Sequence, residues 1–197
     1  LNIVDEFDIE DGTVTQSGGT INVRSYEGSA QGSSANKFDM SAGTLNLSGG
    51  ILNLLGQKST QPVYTAMNVA SGVTLNASTG HTTVISSNNS SSNDEDIYLE
   101  LNGKSIGNLT INLGGHEVYM NSDMNVLGNL TLTDGTFETS GNTLYLGSSS
   151  SNATISGGSA SSYIVAYDNS GTIGKVVHYV NSNDTYNFPI GDAKSII

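Results

Sequence analysis

The sequence predicts an all-β protein, a right-handed parallel β-helix (β-solenoid) of about six coils, and three observations predict it. A pattern of short strands recurs at a fixed spacing, which is how a chain of stacked structural repeats reads. Within each copy apolar and polar side chains alternate, and alternate residues of a strand face opposite sides. Finally, 24 glycines are spread through the 197 residues and leave no helix-period stretch of useful length.

The first copy is Asp11-Gly-Thr-Val-Thr-Gln-Ser-Gly-Gly-Thr-Ile-Asn-Val23. It superimposes without gaps on Ala42-Gly-Thr-Leu-Asn-Leu-Ser-Gly-Gly-Ile-Leu-Asn-Leu54, and the offset from Asp11 to Ala42 defines the period. Asp134-Gly-Thr-Phe-Glu-Thr-Ser-Gly-Asn-Thr-Leu-Tyr-Leu146 follows close to three periods later, so two degenerate copies are expected between. Residues 74–84 fit one slot, and 107–120 fit the next with small insertions. Each unit reads as a strand, a turn at Ser-Gly-Gly and a second strand.

Aligning the second strands gives two inward columns, Ile21, Leu52, Thr82, Val118, Leu144 and Val23, Leu54, Val84, Met120, Leu146. An outward column of Asn22, Asn53, Thr83, Tyr119 and Tyr145 runs between them. One coil cannot bury its own apolar positions, but stacked coils share a continuous core, and this favours a solenoid over an antiparallel sandwich. The segments Ser25 to Phe38 and Ser86 to Asp96 lack apolar rhythm and are expected to bulge out as loops. Residues 1–158 then form the solenoid. Residues 159–197 depart from the repeat and read as a hairpin, cap or last-coil strands, and the natural chain is expected to continue beyond Ile197.

Composition narrows the function. Only 12% of residues are charged, and six basic against eighteen acidic side chains give a net charge of -12. That balance argues against nucleic acid, whose phosphates need a basic footprint, and against anionic membrane surfaces. No apolar run approaches the roughly 20 residues of a membrane-spanning helix. Without cysteine there is neither a disulfide framework nor a thiolate metal site.

Ser162-Tyr-Ile-Val165, Gly174-Lys-Val-Val177 and Tyr186-Asn-Phe-Pro-Ile-Gly-Asp192 follow the units Gly128-Asn-Leu-Thr-Leu-Thr133 and Gly141-Asn-Thr-Leu-Tyr-Leu146. This arrangement resembles the repeat region of very large secreted surface proteins of Bacteroidetes, adhesin-like or gliding-associated and exported through the type IX system. The resemblance implies a secreted or cell-surface location and a structural or adhesive role.

Candidate chemistry is sparse. Asp5, Glu6, Asp8, Glu10 and Asp11, and again Asp94, Glu95, Asp96 and Glu100, gather carboxylates that suit Ca²⁺, but neither cluster has a calcium-loop pattern, and both read as solvated strand and loop residues. His81 and His116 fall in one repeat slot; a stacked pair could ligate a metal beside Glu117, and otherwise forms a surface ladder. Thr13-Val-Thr15 and Thr131-Leu-Thr133 suggest an ice-binding ladder, which Asn46 and Asn76 interrupt. The six basic residues are scattered, and no catalytic, cofactor-binding or metal-binding residue is assigned.

The expected function is a non-catalytic stalk or adhesive element that contacts glycans or other surface proteins, without nucleic acid or membrane insertion. Tyr119, Tyr145, Asn22 and Asn53 are the candidate contact residues. The alternative is a polysaccharide-degrading β-helix, a lyase or glycosidase needing a base or two carboxylates about the sugar bond.

Overall fold

The computed structural model describes residues 1–4, 6–24, 38–56, 64–87, 97–167, 171–180, 185–192 and 195–196. The acidic residues Asp5, Asp94, Glu95 and Asp96 and most of both expected loops lie outside these. The described chain is all β and winds as a parallel β-helix with three faces.

β1 (Asn2–Val4) lies on face one, β2 (Phe7–Ile9) on face two, and the first half of β3 (Thr13–Arg24) on face three. The second half of β3 returns to face one beside β1. β4 (Phe38–Met40) and β5 (Thr44–Gly56) repeat the course on top of β2 and β3. β6 (Tyr64–Val69), β7 (Thr74–Ala77) and β8 (His81–Ser87) form the next wind. β9 (Ile97–Glu100), β10 (Ser105–Ile106) and the first half of β11 (Asn108–Met120) follow.

The second half of β11, β12 (Met124–Val126) and the first half of β13 (Asn129–Glu138) make another wind. The rest of β13, β14 (Thr143–Leu146) and β15 (Thr154–Gly157) complete the next. β16 (Ile164–Tyr167) and β17 (Lys175–His178) stack parallel on β13 and β14, as strands of a further coil and not as a hairpin with each other. β18 (Ile190–Asp192) pairs with β16 and then, antiparallel, with β19 (Ser195–Ile196).

Inward-facing positions from all three faces make one core. Leu45, Leu54, Met67, Ile97, Leu109, Val118, Leu130, Phe137 and Leu144 are fully buried. Each such side chain contributes about 1.5–3 kcal/mol by leaving water. No wind could collect this alone, because its apolar residues are shielded only by the winds above and below.

Between the first two winds the register is the expected one: Ile21 pairs with Leu52, Asn22 with Asn53 and Val23 with Leu54. The third wind differs. Leu52 pairs with Thr83, Asn53 with Val84 and Leu54 with Ile85, so Thr82 and Val84 are not inward residues and Thr83 is. The shift arises at one corner. Leu47 pairs with Ala77 before it and Gly50 with His81 after it, so the corner at 78–80 is longer by one than the corner at 48–49 beneath. A single extra residue exchanges the two sides of a strand.

The later copies depart further. Val118, Tyr119 and Met120 stand on face two, paired with Ile97, Tyr98 and Leu99, while Leu144, Tyr145 and Leu146 stand on face three above Met124, Asn125 and Val126. The winds are also shorter here: Tyr98 to Tyr119, and Asn125 to Tyr145, each complete a turn in fewer residues than Asn22 to Asn53. After β3, β5 and β8 a long connection separates face one from face two, whereas β1 leads into β2 almost directly. β11 and β13 instead turn that corner within a single strand, at Gly114-Gly115 and at Gly135. The same strand-Gly-strand sequence thus serves one corner early in the chain and another later.

The loop limits also shift. Phe38 is no loop residue but opens β4 and packs edge-to-face on Phe7, with ring centroids 5.4 Å apart. Ser86 belongs to β8.

Candidate interaction surface

Because the winds are in register, identical outward side chains stack about 4.8 Å apart, close enough to bond with one another. Asn53 Nδ2 donates to Asn22 Oδ1 at 2.7 Å, and Asn22 Nδ2 donates to Asn2 Oδ1 at 2.7 Å. On face three, Asn76 Nδ2 donates to Asn46 Oδ1 at 2.9 Å, and Asn46 Nδ2 donates to Thr15 Oγ1 at 3.2 Å. The threonine ladder of an ice-binding face is thus replaced by an amide ladder. Asn22 and Asn53 are half-buried and spend part of their bonding capacity on each other, so they tie winds together as well as face outward.

Tyr119 and Tyr145 do not share a column. Tyr119 lies on face two, where its ring stacks on Tyr98 with centroids 5.2 Å apart and planes tilted by 32°. Its hydroxyl donates to Glu117 Oε2. Tyr145 lies on face three between Asn125 and Val177. Tyr98, stacked on Tyr119, joins the candidate contact residues that the sequence pattern alone did not single out. Its signal was present, since Ile97-Tyr98-Leu99 and Val118-Tyr119-Met120 repeat one apolar-Tyr-apolar pattern a short wind apart. The Tyr98–Tyr119 pair, with a carboxylate at one edge, is a half-buried aromatic shelf on face two.

The two histidines are separated as well. His81 pairs with Gly50 and is fully buried, whereas His116 sits half-buried at the face-one to face-two corner of β11. The expected ladder therefore does not form. Gln16 fixes the roles inside the core: its Nε2 donates to the carbonyls of Ile51 (2.9 Å) and Gly19 (3.4 Å), which leaves Oε1 to accept from His81 Nε2 at 3.1 Å. His81 Nδ1 is then a lone-pair nitrogen, and among the described residues neither it nor the buried Thr83 hydroxyl has a hydrogen-bond partner. Burial disfavours the imidazolium and lowers the His81 pKa from 6.5 to about 4.

Among the described residues, no group of three or more His, Asp or Glu side chains is arranged to hold a metal ion. Asp8 and Asp39 are register neighbours on face two, and Asn68 Nδ2 donates to Asp39 Oδ1 at 3.1 Å. Among the described residues, no helix is long and apolar enough to cross a membrane.

Stacked parallel winds around one apolar column, with amide ladders outside, place the chain among β-solenoids. No family model matches it, and neither a characterised protein nor a solved structure matches it significantly.

Proposed function

We propose that the chain is a non-catalytic β-solenoid segment of a secreted or cell-surface protein, acting as a stalk with an adhesive face. The observation that carries this reading is the wind-to-wind continuity of core and exterior together. Each wind is covered by the next, and the outward amides are bonded along the axis, which stiffens a rod against bending and against proteases that need an extended, unpaired chain. The resemblance to repeat regions of Bacteroidetes surface proteins supports the same role. On this reading the Tyr98–Tyr119 shelf meets glycans or a neighbouring surface protein, since aromatic faces pack on the apolar faces of sugar rings and phenol hydroxyls bond their rims.

A neutral contact of this kind is little screened by salt. Binding to a glycan array is expected at both low and high ionic strength, and Tyr98→Ala with Tyr119→Ala is expected to reduce it by about tenfold or more. Silence on the array at both ionic strengths would remove the adhesive role and leave the stalk. The polysaccharide-degrading alternative is separated by assaying acidic polysaccharides for new reducing ends and unsaturated products, whose release would overturn the non-catalytic reading.

A further inference from the structure

The last wind is irregular in a way that makes a cleft. After β17 a regular wind would lay a strand on β15 at face one. Residues 185–187 pass there without joining the sheet: β15 pairs with β13, and among the described residues no strand pairs with its other edge. The gap is a cleft of about 180 Å³ lined by Asn152, Thr154, His178, Thr185, Tyr186 and Asn187 together with the apolar Ala153 and Ile155.

Its chemistry is specific. Its polar side chains are two amides, the hydroxyls of Thr154, Thr185 and Tyr186, and the His178 imidazole, and among the described residues no carboxylate, lysine or arginine lines it. His178 is held in place from three sides. Its Nε2 bonds the Ala153 carbonyl at 2.8 Å, and its ring meets Tyr186 (4.9 Å, 87°) and Phe188 (5.3 Å, 71°) edge-to-face. The volume is well below the roughly 300 Å³ at which pockets for drug-sized ligands begin, so it takes one small ring and not a length of extended peptide.

We propose that this cleft binds a single neutral pyranose ring, as a terminal or side-chain residue of a glycan. The Asn152 and Asn187 amides and the Thr185 hydroxyl match the ring hydroxyls, and Thr154 Oγ1, which donates to Asn129 Oδ1 at 2.8 Å, is left to accept from one. The Tyr186 ring supplies an apolar wall for the C–H face of the sugar. A sugar acid is disfavoured, because among the described residues no cation lines the cleft and the whole chain carries a net charge of -12. The site is on a different part of the solenoid from the Tyr98–Tyr119 shelf and does not depend on it.

The test is a titration of the isotope-labelled 197-residue chain with a panel of neutral methyl pyranosides and with methyl glucuronide, followed by NMR. A neutral pyranoside is expected to give saturable shifts at Asn152, Thr154, Tyr186 and Asn187 with a dissociation constant in the millimolar range, and the glucuronide to bind several-fold more weakly. Tyr186→Ala and, on the exposed rim, Asn187→Ala are each expected to weaken binding by about fivefold or more. Tyr119→Ala is expected to leave it unchanged while reducing array binding, so loss of one site is told apart from loss of the other. Absence of saturable shifts for every neutral pyranoside, or binding that survives Asn187→Ala and Tyr186→Ala in folded protein, would overturn the assignment. So would a preference for the glucuronide.

Discussion

Gly43→Ala is expected to destabilise the protein by about 3 kcal/mol or more, while Gly12→Ala, one wind earlier at the matching corner, costs only about 1–2 kcal/mol. Both glycines have left-handed backbones, with φ of +106° at Gly12 and +90° at Gly43, so each alanine suffers the same intrinsic strain. Their surroundings differ. A Cβ on Gly12 meets nothing within 4 Å, whereas one on Gly43 would lie 2.0 Å from the Gly12 carbonyl oxygen and 2.7 Å from its nitrogen. Those are backbone atoms of the wind below, tied in turn by the bond from Thr44 N to Gly12 O at 2.8 Å. Relief therefore requires the winds to part at that corner. Urea unfolding of the two variants measures the difference; equal losses would mean that the winds do not stack corner on corner.

Lowering the pH from about 6.5 to about 4 is expected to remove about 3 kcal/mol of stability through His81 alone. In the folded chain this imidazole is buried and neutral, and its pKa is held at about 4; in the unfolded chain it protonates near 6.5. Between those values the unfolded state binds the extra proton, so stability falls as the pH falls. Above the window the contribution is complete, and below it no further loss comes from this group. His81→Leu loses the hydrogen bond to Gln16 and is less stable at neutral pH, yet its stability should change less than that of the native chain across the window. Equal pH dependence of the two proteins would show that His81 is not the buried titrating group.

The architecture was legible because its strongest signal is local. Asp11 to Val23 and Ala42 to Leu54 share spacing, corner glycines and alternation, and they lie one directly on the other. The register of the third wind was not legible. Val84 and Ile85 are adjacent and both apolar, so alternation cannot decide which faces inward, and the extra residue at the corner carries no mark of its own. The later faces are not legible for a different reason: a strand-Gly-strand sequence fits either corner, and only the length of the connection that follows distinguishes them.

The candidate surface residues divide the same way. The pairing of Asn22 with Asn53 followed from the period. The pairing of Tyr119 with Tyr98, and the burial of His81 against Gln16 from two winds away, depend on the changed spacing and on where Gly50 leaves room. The cleft beside β15 has no periodic signal, because it exists where the repeat fails to lay down a strand.

The register itself is open to direct measurement, since the chain has no cysteine to interfere. Pairs of cysteines are introduced at Asn22 and Asn53, at Asn53 and Val84, and at Asn53 and Thr83, and disulfide formation is followed by mass spectrometry after mild oxidation. Neighbouring parallel strands put register partners about 4.8 Å apart, within the range of about 4.4–6.8 Å between the α-carbons of a disulfide. The first two pairs are expected to close, and the third to stay open because Thr83 faces the core while Asn53 faces outward. Closure of the Asn53–Thr83 pair with the Asn53–Val84 pair left open would contradict the stacking described here.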